Sequence, residues 1–149
     1  MKAVVLFSAI SVLLSSPAFA DQNCKPVVGH FEAQIVLPPA CTAPFCTAGR
    51  VWGGIQGTYT FAMTTIVASG AVPSIFFFTG QSQITTKSNE LVFGTDTGTL
   101  DLGPNAGFAS LITFTGGTGS MAGASGQIRL RGELGDGTSG DYIGTLCTP

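Results

Sequence analysis

The stretch ITFTGGTGSMAGASGQIRLRG, from Ile112 to Gly132, sets an apolar strand pattern directly before Gly117-Thr118-Gly119-Ser120-Met121-Ala122. A glycine-rich turn after a strand is what a dinucleotide site uses, because glycines let the backbone approach a pyrophosphate resting on the next helix N-terminus. Asp136 or Asp141 stands within reach of the position such a site needs for its ribose-binding acid. The helix is what fails: Gly123 and Gly126 interrupt it, and a period-two strand pattern begins by Gln127. A phosphate would then lose both the free N–H groups and the dipole that hold it. The turn is read as structural, and no cofactor is expected.

Other catalytic chemistries meet similar obstacles. The chain has one histidine, His30, and no Gly-x-Ser-x-Gly, so a nucleophile with its base cannot be assembled in the usual way. His30, beside Gly29 at a strand entrance, reads as a surface residue. Glu32, Glu90, Asp96 and Asp101 are the carboxylates available for paired acid/base work, but no spacing brings two together, and they are expected in solvent. Arg129, Arg131 and Glu133 share a strand face, which would suit an anion if that face lined a cavity. Their alternating neighbours Ile128, Leu130 and Leu134 instead put the charges in water. Phe76-Phe77-Phe78 reads as core in a central strand, able to wall an apolar pocket. Trp52, between residues of a glycine-rich stretch, either serves recognition or packs over a barrel end.

The four cysteines, Cys24, Cys41, Cys46 and Cys147, allow three pairings. Cys41 and Cys46 flank Thr-Ala-Pro-Phe, where Pro44 favours a turn, so local pairing is expected and Cys24 is left for Cys147. Loop-closure entropy then assigns ~5 kcal/mol to the terminal bridge and ~2 kcal/mol to the local one as upper values. Zinc is disfavoured because no second close cysteine pair exists, and no metal is expected. Disulfides presuppose export. Residues 1–20 supply it: a basic start at Lys2, an apolar run from Ala3 to Leu14, and Ala18-Phe19-Ala20 as a small-residue cleavage site form a secretory signal-peptide helix. The apolar run is shorter than the roughly 20 residues needed to span a bilayer. Cys24 lies too far past Ala20 for lipid attachment. Residues 21–149 are read as one secreted domain with no membrane association after signal removal.

Six basic residues against eight acidic ones give a net charge of −2, which leaves no electrostatic footprint for nucleic acid. Aromatic content of 9% and hydrophobic content of 44% exclude disorder. From Phe31 onward the dominant period is two. Phe31, Ala33, Ile35 and Leu37 share one side of a strand that Pro38-Pro39 stops, and Ala40 to Arg50 reads as a loop. A long strand follows with Ile55, Gly57, Tyr59, Phe61, Met63, Thr65 and Val67 on one face. Ser74 to Thr86 is the next, with Phe76 and Phe78 facing one way and Ile75 and Phe77 the other. Glu90–Thr95 and Gly98–Leu102 are one bent strand or two joined at Thr95-Asp96-Thr97. Phe108, Ser110, Ile112 and Phe114 alternate along a further strand. Ile128, Leu130, Gly132 and Leu134 do the same, Gly135 to Gly140 turns the chain, and Tyr142, Gly144 and Leu146 mark the last strand. No helical period persists, and 21 glycines disfavour one. The expected fold is all-β: a single antiparallel barrel of about eight strands, with a β-sandwich as the alternative. A bridge between the two ends of the domain favours the barrel, whose first and last strands are antiparallel neighbours.

Gly116-Gly117-Thr118-Gly119, a hydrophobic Met121, Gly123-Ala124 and Gly126 before an alternating strand resemble the corresponding turn of allene oxide cyclase-like barrel proteins. So do Gly53-Gly54-Ile55-Gln56-Gly57-Thr58-Tyr59 after the Cys41–Cys46 loop, Gly94-Thr95-Asp96-Thr97-Gly98, and Tyr142-Ile143-Gly144-Thr145-Leu146-Cys147. The resemblance is to a group of small secreted bacterial proteins and, more distantly, to plant allene oxide cyclases and dirigent proteins. It implies an eight-stranded antiparallel barrel with an apolar lumen. It transfers no catalytic residue. The expected function is a non-catalytic barrel binding a small apolar ligand, with Phe61, Phe76, Phe78, Ile112 and Phe114 as lining. The alternative is a cyclase- or dirigent-like enzyme acting on a lipid or phenolic intermediate. A purely apolar lumen favours binding or packing, convergent polar groups favour catalysis, and a lumen filled by side chains weakens both.

Overall fold

The computed structural model describes residues 22–104 and 106–149, so the expected signal peptide, residues 1–20, lies outside the described residues. Eight strands close into an antiparallel barrel in which every strand pairs with its sequence neighbours. They are β1 (Asn23–Val36), β2 (Cys46–Gly53), β3 (Gly57–Ala68), β4 (Ile75–Thr86), β5 (Leu91–Asp101), β6 (Gly107–Gly117), β7 (Ser125–Leu134) and β8 (Gly137–Thr148). Closure comes from β1 against β8, from Asn23 opposite Thr148 to Gln34 opposite Gly137. That pairing sets Cys24 directly across from Cys147, and the two are disulfide-bonded. Cys41 and Cys46 form the second bridge at the start of β2. The sandwich alternative is excluded. No open edge is left by the closed sheet.

One face of every strand points into the lumen. The inward set includes Val27, Phe31 and Ala33 of β1, Tyr59, Phe61 and Met63 of β3, Ile112 and Phe114 of β6, and Ile128 and Leu130 of β7. Several boundaries differ from the sequence reading. Cys46–Gly53 is a strand rather than part of a loop: its inward positions include Thr47 and Gly49, which give no apolar alternation, and Val51 is the one large apolar side chain it buries. The first strand begins at Asn23, and Ile35 and Leu37 are exposed because the chain has already passed the barrel rim. In β3 the register shifts between Met63 and Thr65, so the extra residue Thr64 turns Thr65 and Val67 away from the lumen. Thr64 and Thr65 both meet the Thr79 hydroxyl on the outside. β5 is continuous through Thr95-Asp96-Thr97. The last turn is confined to Gly135-Asp136, and β8 begins at Gly137.

The two barrel ends are built differently. At the lower end, where β1 begins, β8 ends and the β2–β3, β4–β5 and β6–β7 connections lie, Tyr142 closes the lumen. Its hydroxyl accepts the Ile55 N–H at 2.8 Å and donates toward the Ile55 carbonyl at 3.2 Å. The β6–β7 connection, which resembles a phosphate cradle in sequence, holds one short 3-10 turn, Gly119–Met121. It does receive an anion, the Glu90 carboxylate. The Ser120 N–H donates to Glu90 Oε1 at 2.6 Å and the Ser120 hydroxyl to Oε2 at 2.8 Å. Gly119 is at φ 58°, and a Cβ there would lie 2.3 Å from Glu90 Oε1, so only glycine fits both requirements.

Candidate functional site

The upper end, where β1, β3, β5 and β7 finish, holds the site. A cavity of about 40 Å³ lies there, bounded by Phe31, Phe45, Phe61, Phe78, Leu100 and Phe108 among others. Phe45, Leu100, Phe108 and Leu134 are half-buried and form its rim. Two aromatic pairs wall it: Phe61 meets Phe78 edge-on with ring centroids 5.6 Å apart, and Phe31 meets Phe108 at 5.8 Å. Gly80 makes room for Phe61, since a Cβ at that position would stand 2.2 Å from the ring. Below the cavity a void of about 10 Å³ between Phe31, Ile112, Ile128 and Tyr142 has room for at most one water. The lumen is therefore largely filled, as small barrels are.

The lumen is not apolar throughout. Asp96 projects into it from β5 and is only 2% exposed. Ser82 of β4 donates to Asp96 Oδ2 at 3.1 Å, and the Tyr59 hydroxyl of β3 lies 3.2 Å from Ser82 Oγ. Thr47, Ser110 and Thr138 are also buried and line the same cavity. Asp96 Oδ1 and Ser110 Oγ are buried without a hydrogen-bond partner. Burial pushes the Asp96 carboxyl up to about 6, against the opposing influence of the Ser110 and Ser82 hydroxyls. Burial, with the nearby Asp96 charge, holds the Tyr59 hydroxyl far above its ordinary range.

The expectation that Asp96 is solvated is thus corrected. Of the four carboxylates considered, it alone enters the lumen. Glu32 is on the outer face, Glu90 pins the β6–β7 connection, and Asp101 accepts the Gly103 N–H at 2.8 Å at the end of β5. No two carboxylates converge on the cavity. Of the residues expected to line a ligand site, Phe61 and Phe78 bound the cavity, whereas Ile112 lines the smaller void beneath. Phe114 is buried in the core but borders neither space, and Phe76 is half-buried near the start of β4. Phe77 is 52% exposed, so the triple-phenylalanine run is only partly core. Arg129, Arg131 and Glu133 face outward. His30 is on the outer face as expected, with its Nδ1 against the Asp141 carboxylate and its ring 6.2 Å from that of Trp52. Trp52 does not cover a barrel end.

Tyr59 and Ser110 sit on faces the alternation assigns inward. Phe45, Thr47, Ser82, Leu100 and Thr138 are the residues sequence reasoning missed. Asp96 had a usable signal: Val92, Gly94, Asp96, Gly98 and Leu100 share one parity, and an unbroken strand puts all five on the lumen side. Leaving open a break at Thr95-Asp96-Thr97, and expecting carboxylates in solvent, concealed it. No protein-family model matches the chain, and no curated protein sequence matches it.

Proposed function

We propose that the chain is a secreted, disulfide-stapled barrel of the allene oxide cyclase-like kind whose upper mouth binds the end of a small apolar molecule. The observation that carries this reading is a Phe-rimmed cavity lined also by the buried Asp96 and Ser110, whose Oδ1 and Oγ have no hydrogen-bond partner. Ligand pockets typically combine apolar walls with a few convergent polar groups. They also typically occupy roughly 300–1,000 Å³. A cavity of about 40 Å³ admits only a terminal group, so the rest of the ligand lies between the rim residues. The two disulfides suit an oxidising compartment outside the cytoplasm. Titration with n-hexanol, followed by backbone amide shifts, tests the reading. Perturbations are expected around Phe45, Phe78, Leu100 and Phe108, and their absence from the upper end rejects it.

One observation favours a second reading, a cyclase- or dirigent-like enzyme acting on a lipid or phenolic intermediate. A carboxyl with a pKa of about 6, connected through Ser82 to Tyr59, is suited to exchange a proton near neutrality. Asp96→Asn separates the readings. It abolishes turnover of a lipid epoxide if the carboxyl is the proton carrier, and no turnover by the unaltered protein removes the enzyme reading.

A further inference from the structure

The polar side of the cavity has a definite sign. A serine hydroxyl carries one proton, and Ser82 directs its proton to Asp96 Oδ2. The Tyr59 hydroxyl must therefore be the donor in its contact with Ser82 Oγ. Protons thus point from β3 through β4 to the carboxylate on β5, an arrangement that favours the ionised form. Asp96 and Ser110 both line the cavity, and neither Asp96 Oδ1 nor Ser110 Oγ has a protein partner at hydrogen-bonding geometry. Among the described residues this charge has no counterion: no basic residue lines the cavity, and Lys25, His30, Arg50, Lys87, Arg129 and Arg131 are all exposed. Phe31, Phe45, Phe61, Phe78 and Phe108 supply much of the remaining wall beside aliphatic side chains and two threonines, and aromatic rings attract cations.

We propose that the upper mouth recognises an organic cation, a primary ammonium group on an apolar chain, seated on Asp96 Oδ1 among Phe61, Phe78 and Phe108. The inference rests on the reading of this mouth as a ligand site. An ammonium group has three donors and no acceptor, which matches a carboxylate oxygen beside a hydroxyl oxygen. The space of about 40 Å³ accepts an ammonium with its first methylenes and is too confined for a quaternary head. A divalent metal fits poorly. Calcium takes six to eight oxygen ligands, and no group of three His, Cys, Asp or Glu converges among the described residues. An anion would meet a carboxylate in a largely apolar surround with no basic side chain lining it.

Calorimetric titration of the whole protein with n-hexylammonium, n-hexanol and hexanoate tests this at about pH 7.5 and about pH 5, on either side of the carboxyl's titration. The ammonium is expected to bind at least about tenfold more tightly than the alcohol at the higher pH, with hexanoate weakest, and to lose that advantage at the lower one. Asp96→Asn removes the ammonium's advantage over the alcohol, and Ser110→Ala reduces it. Circular dichroism establishes that both variants fold. Equal binding of ammonium and alcohol overturns the cation proposal while the mouth remains a ligand site. No binding of either overturns both. An ammonium preference that survives Asp96→Asn places the cation elsewhere and also overturns the proposal.

Discussion

Asp96 is the residue at which folding and site chemistry conflict. Its carboxyl titrates near 6 in the fold against an ordinary value of 3.8, because burial disfavours the charge. The folded pKa is raised, so the unfolded chain ionises first and the fold is penalised by about 3 kcal/mol at pH above the folded value. As pH falls through 6 toward 3.8 the penalty disappears. Asp96→Asn is therefore expected to raise the urea midpoint at neutral pH and to leave it nearly unchanged at about pH 4, provided the amide keeps the Ser82 contact. Tyr142 presents the opposite case, a buried hydroxyl whose partners are all present. Tyr142→Phe leaves the Ile55 N–H without its acceptor at the lower end and is expected to cost about 1–3 kcal/mol in urea denaturation.

Among the elements, the β6–β7 connection shows how a sequence signal can be chemically apt yet structurally directed. The glycines of GGTGSMAGASG do free backbone N–H groups for an anion, and the anion is Glu90 of the same chain. Hydrogen bonds from the Ser120 N–H and hydroxyl, with Ser88 also contributing, hold the Glu90 carboxyl below its usual range. A depressed folded pKa means that this contribution is present above the ordinary value of 4.5 and is lost as pH falls through the folded one. Glu90→Ala is expected to speed hydrogen exchange at Ser120 and to flatten the acid limb of the stability curve, and unchanged exchange contradicts the pin. The strands that alternate large apolar with polar residues, β6 and β7, were legible from sequence because period two is itself the burial pattern. β2 was not legible, because its lumen side includes Thr47 and Gly49. The outward turn of Thr65 and Val67 was not legible either, since an inserted bulge residue leaves no compositional trace. The site was hidden for another reason: Asp96 and Ser82 share the parity of lumen residues on their strands, but a carboxylate and a serine are ordinarily read as solvent-facing.

At the scale of the whole molecule, closure is what makes a lumen at all. Cys24 and Cys147, 123 residues apart in sequence, sit at the β1–β8 seam that completes the barrel. Replacing both with serine is expected to lower stability by about 2–5 kcal/mol, read as a urea midpoint shift under non-reducing conditions, while Cys41 and Cys46 remain paired. The burial of Asp96 depends on that closure, since the cavity it lines is also walled by Phe31 of β1, Leu130 of β7 and Thr138 of β8. Its titration consequently reports on the barrel and the site together. The most direct measurement is a carbon-detected magnetic resonance titration of the Asp96 carboxyl in the intact protein. A midpoint at about 6 is expected, and a midpoint near 3.8 would place the carboxyl in solvent and contradict the lumen site.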